Sequence, residues 1–155
     1  MQSLVRKEAN DAIDLLEVAL LQRYETKQCP LNHTFVPGMY LREIIMEAGD
    51  KITSKIHRIR HPFFVLKGSA NVWTDGIGWQ LIKAPYFGIT EPGTRRVLQI
   101  IERCHWITCH STDIQPEDDS PEAVQRAIDA IEDEIIEKHE NNLLKYESED
   151  RIQAG

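Results

Sequence analysis

The chain has 155 residues, of which 41% are hydrophobic and 28% charged. This is the composition of a folded domain with its own core, and it excludes a disordered chain. The formal charge is −7, with no basic run or stripe, which argues against a nucleic-acid duplex as partner.

The longest apolar runs are short, such as Pro62-Phe63-Phe64-Val65-Leu66, far below the ~20 residues of a membrane span. Met1 to Lys7 lacks the apolar core and cleavage site of a signal peptide, so a cytoplasmic location without membrane contact is expected. Cys29, Cys104 and Cys109 are odd in number and no pair has C-x-x-C spacing. They are expected as reduced thiols, with Cys29 partly exposed beside Pro30.

Charge is unevenly spread. Residues 29–115 carry 10 basic and 7 acidic side chains, a net of +3, whereas residues 116–155 carry 4 and 13, a net of −9. The centre of the chain suits an anionic ligand, and the tail is a solvated acidic segment.

In chain order, residues 3–24 predict a helix, with Val5, Ala9, Ala12, Ile13, Leu16, Ala19 and Leu20 at helical spacing. From Tyr40 the period becomes that of strands. Expected strands are Tyr40–Met46, an alternating stretch Ile52–Ile59, Phe63–Leu66, Ala70–Thr74, Trp79–Ile82, Val97–Ile101 and His105–Thr108. Turns are expected at Pro37-Gly38, Gly49-Asp50, Asp75-Gly76, Pro85 to Gly88 and Glu91 to Gly93. A polar linker follows, and Ser120-Pro121-Glu122 opens a second helix as N-cap, first-turn proline and acid. Its apolar stripe is Val124, Ile128, Ile131 and Ile135, running to about Leu144, and residues 146–155 are expected to fray. The chain therefore divides into an N-terminal helix (1–28), an all-β unit (29–115), and an acidic linker, helix and tail (116–155).

The stretch from Gly49 to Gly68 resembles the first motif of the cupin superfamily: Gly, five residues, His-x-His, three or four residues, Glu, six residues, Gly. Gly49 and Gly68 stand at the matching separation. Lys55 and His57 occupy the two His positions, and His61 the Glu position. Glu91 to Ile100 resembles the second motif weakly. Gly93 fits, Arg96 stands at the His position and Ile100 at the Asn position. The resemblance covers about residues 40–110. It implies a mainly β fold, an antiparallel jelly-roll barrel flanked by the N-terminal and C-terminal helices, with Lys55, His57, His61 and Arg96 converging in its mouth.

That set has three readings. Two imidazoles with Lys55 and Arg96 beside them are a poor metal site, so no cofactor is favoured. If a divalent transition metal is present, His57 and His61 hold it, with His105 or Glu91 completing the shell. The second reading is a metal-free pocket for a small anion, using Lys55, His57, His61 and Arg96. Tyr86, Trp73 and His105 would complete the ligand-binding set, and Phe63, Trp79 and Trp106 are further aromatic walls. The resemblance implies that such a site can also serve metal-free epimerases, with His57 as base. The third reading is structural, with buried histidines merely hydrogen-bonded and Arg95 and Arg96 on the surface. His33, His110 and His139 are expected to be exposed and uninvolved.

The leading expectation is a cupin-like protein, of phage or bacterial type, that binds a nucleotide, sugar phosphate or carboxylate, with sequestration of that molecule as one role. The alternatives are a cupin enzyme, either a metal-dependent dioxygenase or isomerase or a metal-free epimerase, and an assembly protein. Two amphipathic helices beside one small barrel, with sheet edges to cover, predict a homodimer or larger. Light scattering at high micromolar concentration checks this: a dimer or larger species is expected, and a monomer contradicts it.

Overall fold

A computed structural model describes residues 7–23, 25–137 and 150–153. Helix α1 (Lys7–Arg23) is followed by strands β1 (Glu25–Gln28), β2 (Leu31–Val36), β3 (Met39–Met46), β4 (Asp50–Thr53), β5 (Ile56–His57), β6 (His61–Thr74), β7 (Gly78–Lys83), β8 (Tyr86–Thr90) and β9 (Arg96–Ser111). Helix α2 (Pro121–Ile135) then leads into β10 (Ile136–Glu137), and β11 (Asp150–Gln153) is the last element.

The barrel is organised by its two longest strands, β6 and β9, which pair antiparallel from Phe63↔Thr108 to Thr74↔Arg96. Register shifts between Val65 and Ala70 bulge this ladder at its middle, and a bulge bends the strand that carries it. Each strand thereby contributes to two facing half-sheets. One half holds β7 against the end of β6, and β4 against the start of β9. The other holds β8 against the start of β6, and β3 and β2 beyond the end of β9.

Gly68 makes the bend possible. Its φ is +89°, and a Cβ there would lie 2.1 Å from the Arg103 carbonyl oxygen, so both the conformation and the close approach require glycine. The core lies between the halves. Ile52, Val72, Ile82, Leu98 and Ile100 from one meet Ile44, Met46, Phe63, Val65 and Trp106 from the other.

Several strands differ from the sequence expectation for one reason. Phe63–Leu66 with Ala70–Thr74, and Val97–Ile101 with His105–Thr108, are two bulged strands rather than four, because the chain bends without leaving the ladder. Pro85 to Gly88 is largely strand β8, paired through Phe64↔Phe87. Cys29 is 4% exposed within the core, and the hydrogen bond from Ile45 N to Pro30 O holds its loop down. Asp150–Gln153, expected to fray, pairs with β1 and β4. Val5 and residues 138–144 lie outside the described residues.

The helices serve different ends of the barrel. In α1, Ala9, Ile13 and Leu20 are buried, whereas Ala12 and Ala19 are exposed. The buried face also includes Glu17, 1% exposed, which accepts hydrogen bonds from Thr53 Oγ1 at 2.8 Å and from Arg95 Nη2 at 3.1 Å. Asp14 stands 3.9 Å from the same guanidinium. Arg95, which the structural reading put on the surface, is thus a buried ion-pair partner that ties α1 to the barrel. In α2, Ser120 caps the first turn, its Oγ accepting from Ala123 N at 3.2 Å. Ile131 and Ile135 pack on Tyr40.

Removing one partner of a buried ion pair leaves an uncompensated charge, which costs about 3–5 kcal/mol. Arg95→Leu is therefore expected to destabilise the protein by about that much, and adding Glu17→Leu to recover most of the loss. Urea unfolding of the two variants checks this. Equal losses from the single and double substitutions contradict it.

Candidate functional site

Alternation places even-numbered residues of β3 and β9 on the inner faces. In β3 these are Tyr40, Arg42, Ile44 and Met46. In β9 they are Leu98, Ile100, Cys104, Trp106 and His110, with Arg96 and Thr108 at the mouth. Because β9 bends, its first residue and its last inward residues face each other across the same opening. Arg96 enters from one half-sheet, and Thr108 and His110 from the other. His61 stands at the start of β6, and His57 on β5, which is held by β10 through Ile136↔His57.

The mouth opens into a cavity with an empty volume of about 670 Å³, open solvent included. Its cationic groups are Arg42, Lys55 and Arg96, and its imidazoles include His57 and His61. Ser54, Thr90, Thr94 and Thr108 supply hydroxyls, and Ile44, Met46, Ile52, Phe63, Leu98 and Trp106 form the apolar wall. Among the described residues, no aspartate or glutamate lines it.

His57, His61 and His110 form a cluster whose candidate ligand nitrogens all lie within 4.8 Å of one another. Ring centroids are 4.6 Å apart for His57 and His61, 4.4 Å for His61 and His110, and 5.5 Å for His57 and His110. All three are held from behind. His61 Nδ1 donates to the Ile59 carbonyl at 2.9 Å, which leaves its Nε2 with the lone pair. A 2.9 Å hydrogen bond joins His110 Nε2 and the Thr108 hydroxyl. Tyr40 stacks on His110, and α2 backs Tyr40. The Gly93 amide donates to the His57 carbonyl at 2.9 Å.

All three imidazoles favour the neutral form. Burial pushes the His57 pKa well below its usual value, reinforced by the neighbouring His61, His110, Arg42 and Lys55 charges. Burial also lowers His61, against the Ile59 hydrogen bond, which raises it. His110 falls to about 3 through burial, with His61 and Arg42 adding to it. Neutral imidazoles are metal ligands, and each of the three offers a ring nitrogen to the cluster. The donor set therefore fits a divalent transition metal, and His110 supplies the third nitrogen that the sequence reading lacked.

Arg96 is placed by three contacts. Its Nη1 donates to Thr90 Oγ1 at 2.7 Å, its backbone N to Ser54 Oγ at 2.7 Å, and its guanidinium lies 5.0 Å from the Phe63 ring centroid. Phe63 in turn stacks on Trp106 at 4.9 Å.

The structure thus brings together Lys55, His57, His61 and Arg96. Tyr86 is not among the described lining residues; it is 41% exposed, with its ring 6.0 Å from that of Phe63. Trp73 and His105 lie elsewhere. The β6 bulge reverses parity, so Trp73 points outward and packs on Ala9 and Ile56. His105 has odd parity on β9 and donates from Nε2 to Glu43 at 2.8 Å on the outer face. Trp79 is 56% exposed.

His110, expected to be exposed, is 2% exposed. The expectation ended its strand at Thr108, whereas β9 runs to Ser111. The parity shared with Leu98, Cys104 and Trp106 was the available signal. Arg42 carried the same signal on β3. His33 is half-buried, with its Nδ1 2.6 Å from the Tyr40 hydroxyl, and His139 lies outside the described residues.

No family model and no curated protein matches the chain. Solved structures do. Ectoine synthase from P. lautus aligns with a TM-score of 0.52 at 8% identity, covering 74% of this chain and 78% of its own. An RmlC-like cupin family protein with a double-stranded β-helix fold, from Methanocaldococcus jannaschii, aligns at 0.48 and 10% identity, covering 58% and 89%. The Schizosaccharomyces pombe Cnp3 cupin domain aligns at 0.48 and 19% identity, covering 60% and 72%. The chain has the cupin fold, mainly β and antiparallel, with two helices among the described residues.

Proposed function

We propose that the protein binds a small anionic molecule in the barrel mouth, and that His57, His61 and His110 hold a divalent transition metal as part of that site. The observation that carries the reading is the charge of the lining. Arg42, Lys55 and Arg96 face a cavity whose described lining includes three cations and no carboxylate. In a space that water screens poorly, such charges attract an anion strongly.

A metal on three neutral imidazoles adds positive charge to the same space. Repulsion from Arg42, Lys55 and Arg96 opposes the metal, and an anion bound between them offsets that repulsion. The two ligands therefore support each other. A metal held by these imidazoles would supply Lewis acidity toward the anion. Arg96, fixed by Thr90 and Phe63, orients the charged group, and the apolar wall limits water.

The second reading is the metal-free anion pocket, favoured by the same cations. Its acid–base version, with His57 as base, is weakened because His57 makes no side-chain hydrogen bond to a carboxylate among the described residues. Self-association remains part of the proposal. Edge strands β7 and β8 expose Trp79, Leu81 and Phe87, the last two at 65% and 69%, a surface that a second copy would cover.

Elemental analysis of untagged protein, dialysed against zinc or manganese and then metal-free buffer, is expected to find about one metal per chain. His110→Ala and His61→Ala should lose it, whereas Arg96→Ala should keep it. Arg96→Ala should weaken the tightest of phosphate, citrate and hexanoate by about ten-fold or more in calorimetry. Metal retained by His110→Ala contradicts the metal half of the reading. Anion affinity unchanged in Arg96→Ala contradicts the other half.

A further inference from the structure

The cavity is divided. Its charged groups gather at the mouth, and the wall beneath them is Ile44, Met46, Ile52, Phe63, Leu98 and Trp106. Of the four hydroxyls on the lining, three are already engaged in placing the charged and imidazole groups. Ser54 Oγ accepts from Arg96 N, Thr90 Oγ1 accepts from Arg96 Nη1, and Thr108 Oγ1 is bonded to His110.

A sugar phosphate or nucleotide would bring several hydroxyls or ring nitrogens into this space. Each buried polar atom left without a partner costs a substantial part of its hydration. An apolar body meets no such cost and gains from leaving water. The border between the halves is set by one contact, the Arg96 guanidinium over the Phe63 ring at 5.0 Å. A carboxylate on Arg96 therefore has its adjoining carbons beside Phe63 and the Trp106 ring stacked on it. Gly88 supports this arrangement. A Cβ there would lie 2.7 Å from the Phe63 ring, so a side chain at this position would displace the ring from its place in the wall.

We propose that the ligand is an amphiphilic carboxylate, with its acid group on Arg96 and its apolar body against Phe63, Trp106 and Leu98, rather than a nucleotide or sugar phosphate. This rests on the reading of the cavity as an anion site and narrows its ligand class.

Calorimetric titration with sodium butyrate, hexanoate and octanoate, and separately with glucose 6-phosphate and AMP, tests it. Each added methylene is expected to tighten binding by about four-fold until the cavity is full, and the two phosphates should bind more weakly than hexanoate. The near-isosteric Leu98→Asn, checked for folding by thermal melting, should flatten the chain-length dependence. A flat series in the unaltered protein overturns the inference without recourse to any variant. Glucose 6-phosphate or AMP binding more tightly than hexanoate, with Arg96→Ala weakening it, overturns the inference and leaves the anion reading standing. No binding by any of these anions overturns both.

Discussion

The site depends on the bend shared by β6 and β9. A straight sixteen-residue strand would hold its ends roughly 50 Å apart. Folded at the bulge, β9 brings Arg96 and His110 to one opening, and β6 brings His61 there beside them. Gly68 permits the bend because its positive φ and its approach to the Arg103 carbonyl leave no room for a side chain. The same bend places two apolar faces against each other, so core and site arise from one distortion of the ladder.

The helices then fix what the bend brings together. Helix α2 continues into β10, whose pairing with β5 holds His57, and its Ile131 and Ile135 back Tyr40, which stacks on His110. Helix α1 works on the opposite half-sheet through Glu17 and Arg95, the residue before Arg96. Among the described residues, neither helix lines the cavity. Both position side chains that do.

Much of the fold was legible because period and punctuation are local. The change from helical to alternating spacing near Tyr40, the Ser120-Pro121 cap and the Gly49 to Gly68 separation each carry their own physical reason. What escaped was non-local. A bulge keeps a strand in its ladder while bending it, so β6 and β9 each read as two strands, and in β6 it also reverses the alternation. Trp73 was then assigned to the wrong face, and His110 was left beyond an early strand end. Glu17 sits at helical spacing within an apolar stripe, and only its distant partner Arg95 explains its burial. Lys55, His57, His61 and Arg96 were found through the motif resemblance, whereas Arg42 and His110 required parity carried along the full length of β3 and β9.

The account holds that imidazoles from β5, β6 and β9 and cations from three sides converge on one ligand. Visible absorption of the cobalt(II)-loaded protein, titrated with hexanoate, tests this most directly, because cobalt bands respond to a change in the metal's own coordination. The account predicts cobalt bands that shift on adding hexanoate and saturate at the dissociation constant found by calorimetry. Cobalt bands that stay unchanged while hexanoate binds would place the two ligands in separate sites and contradict it.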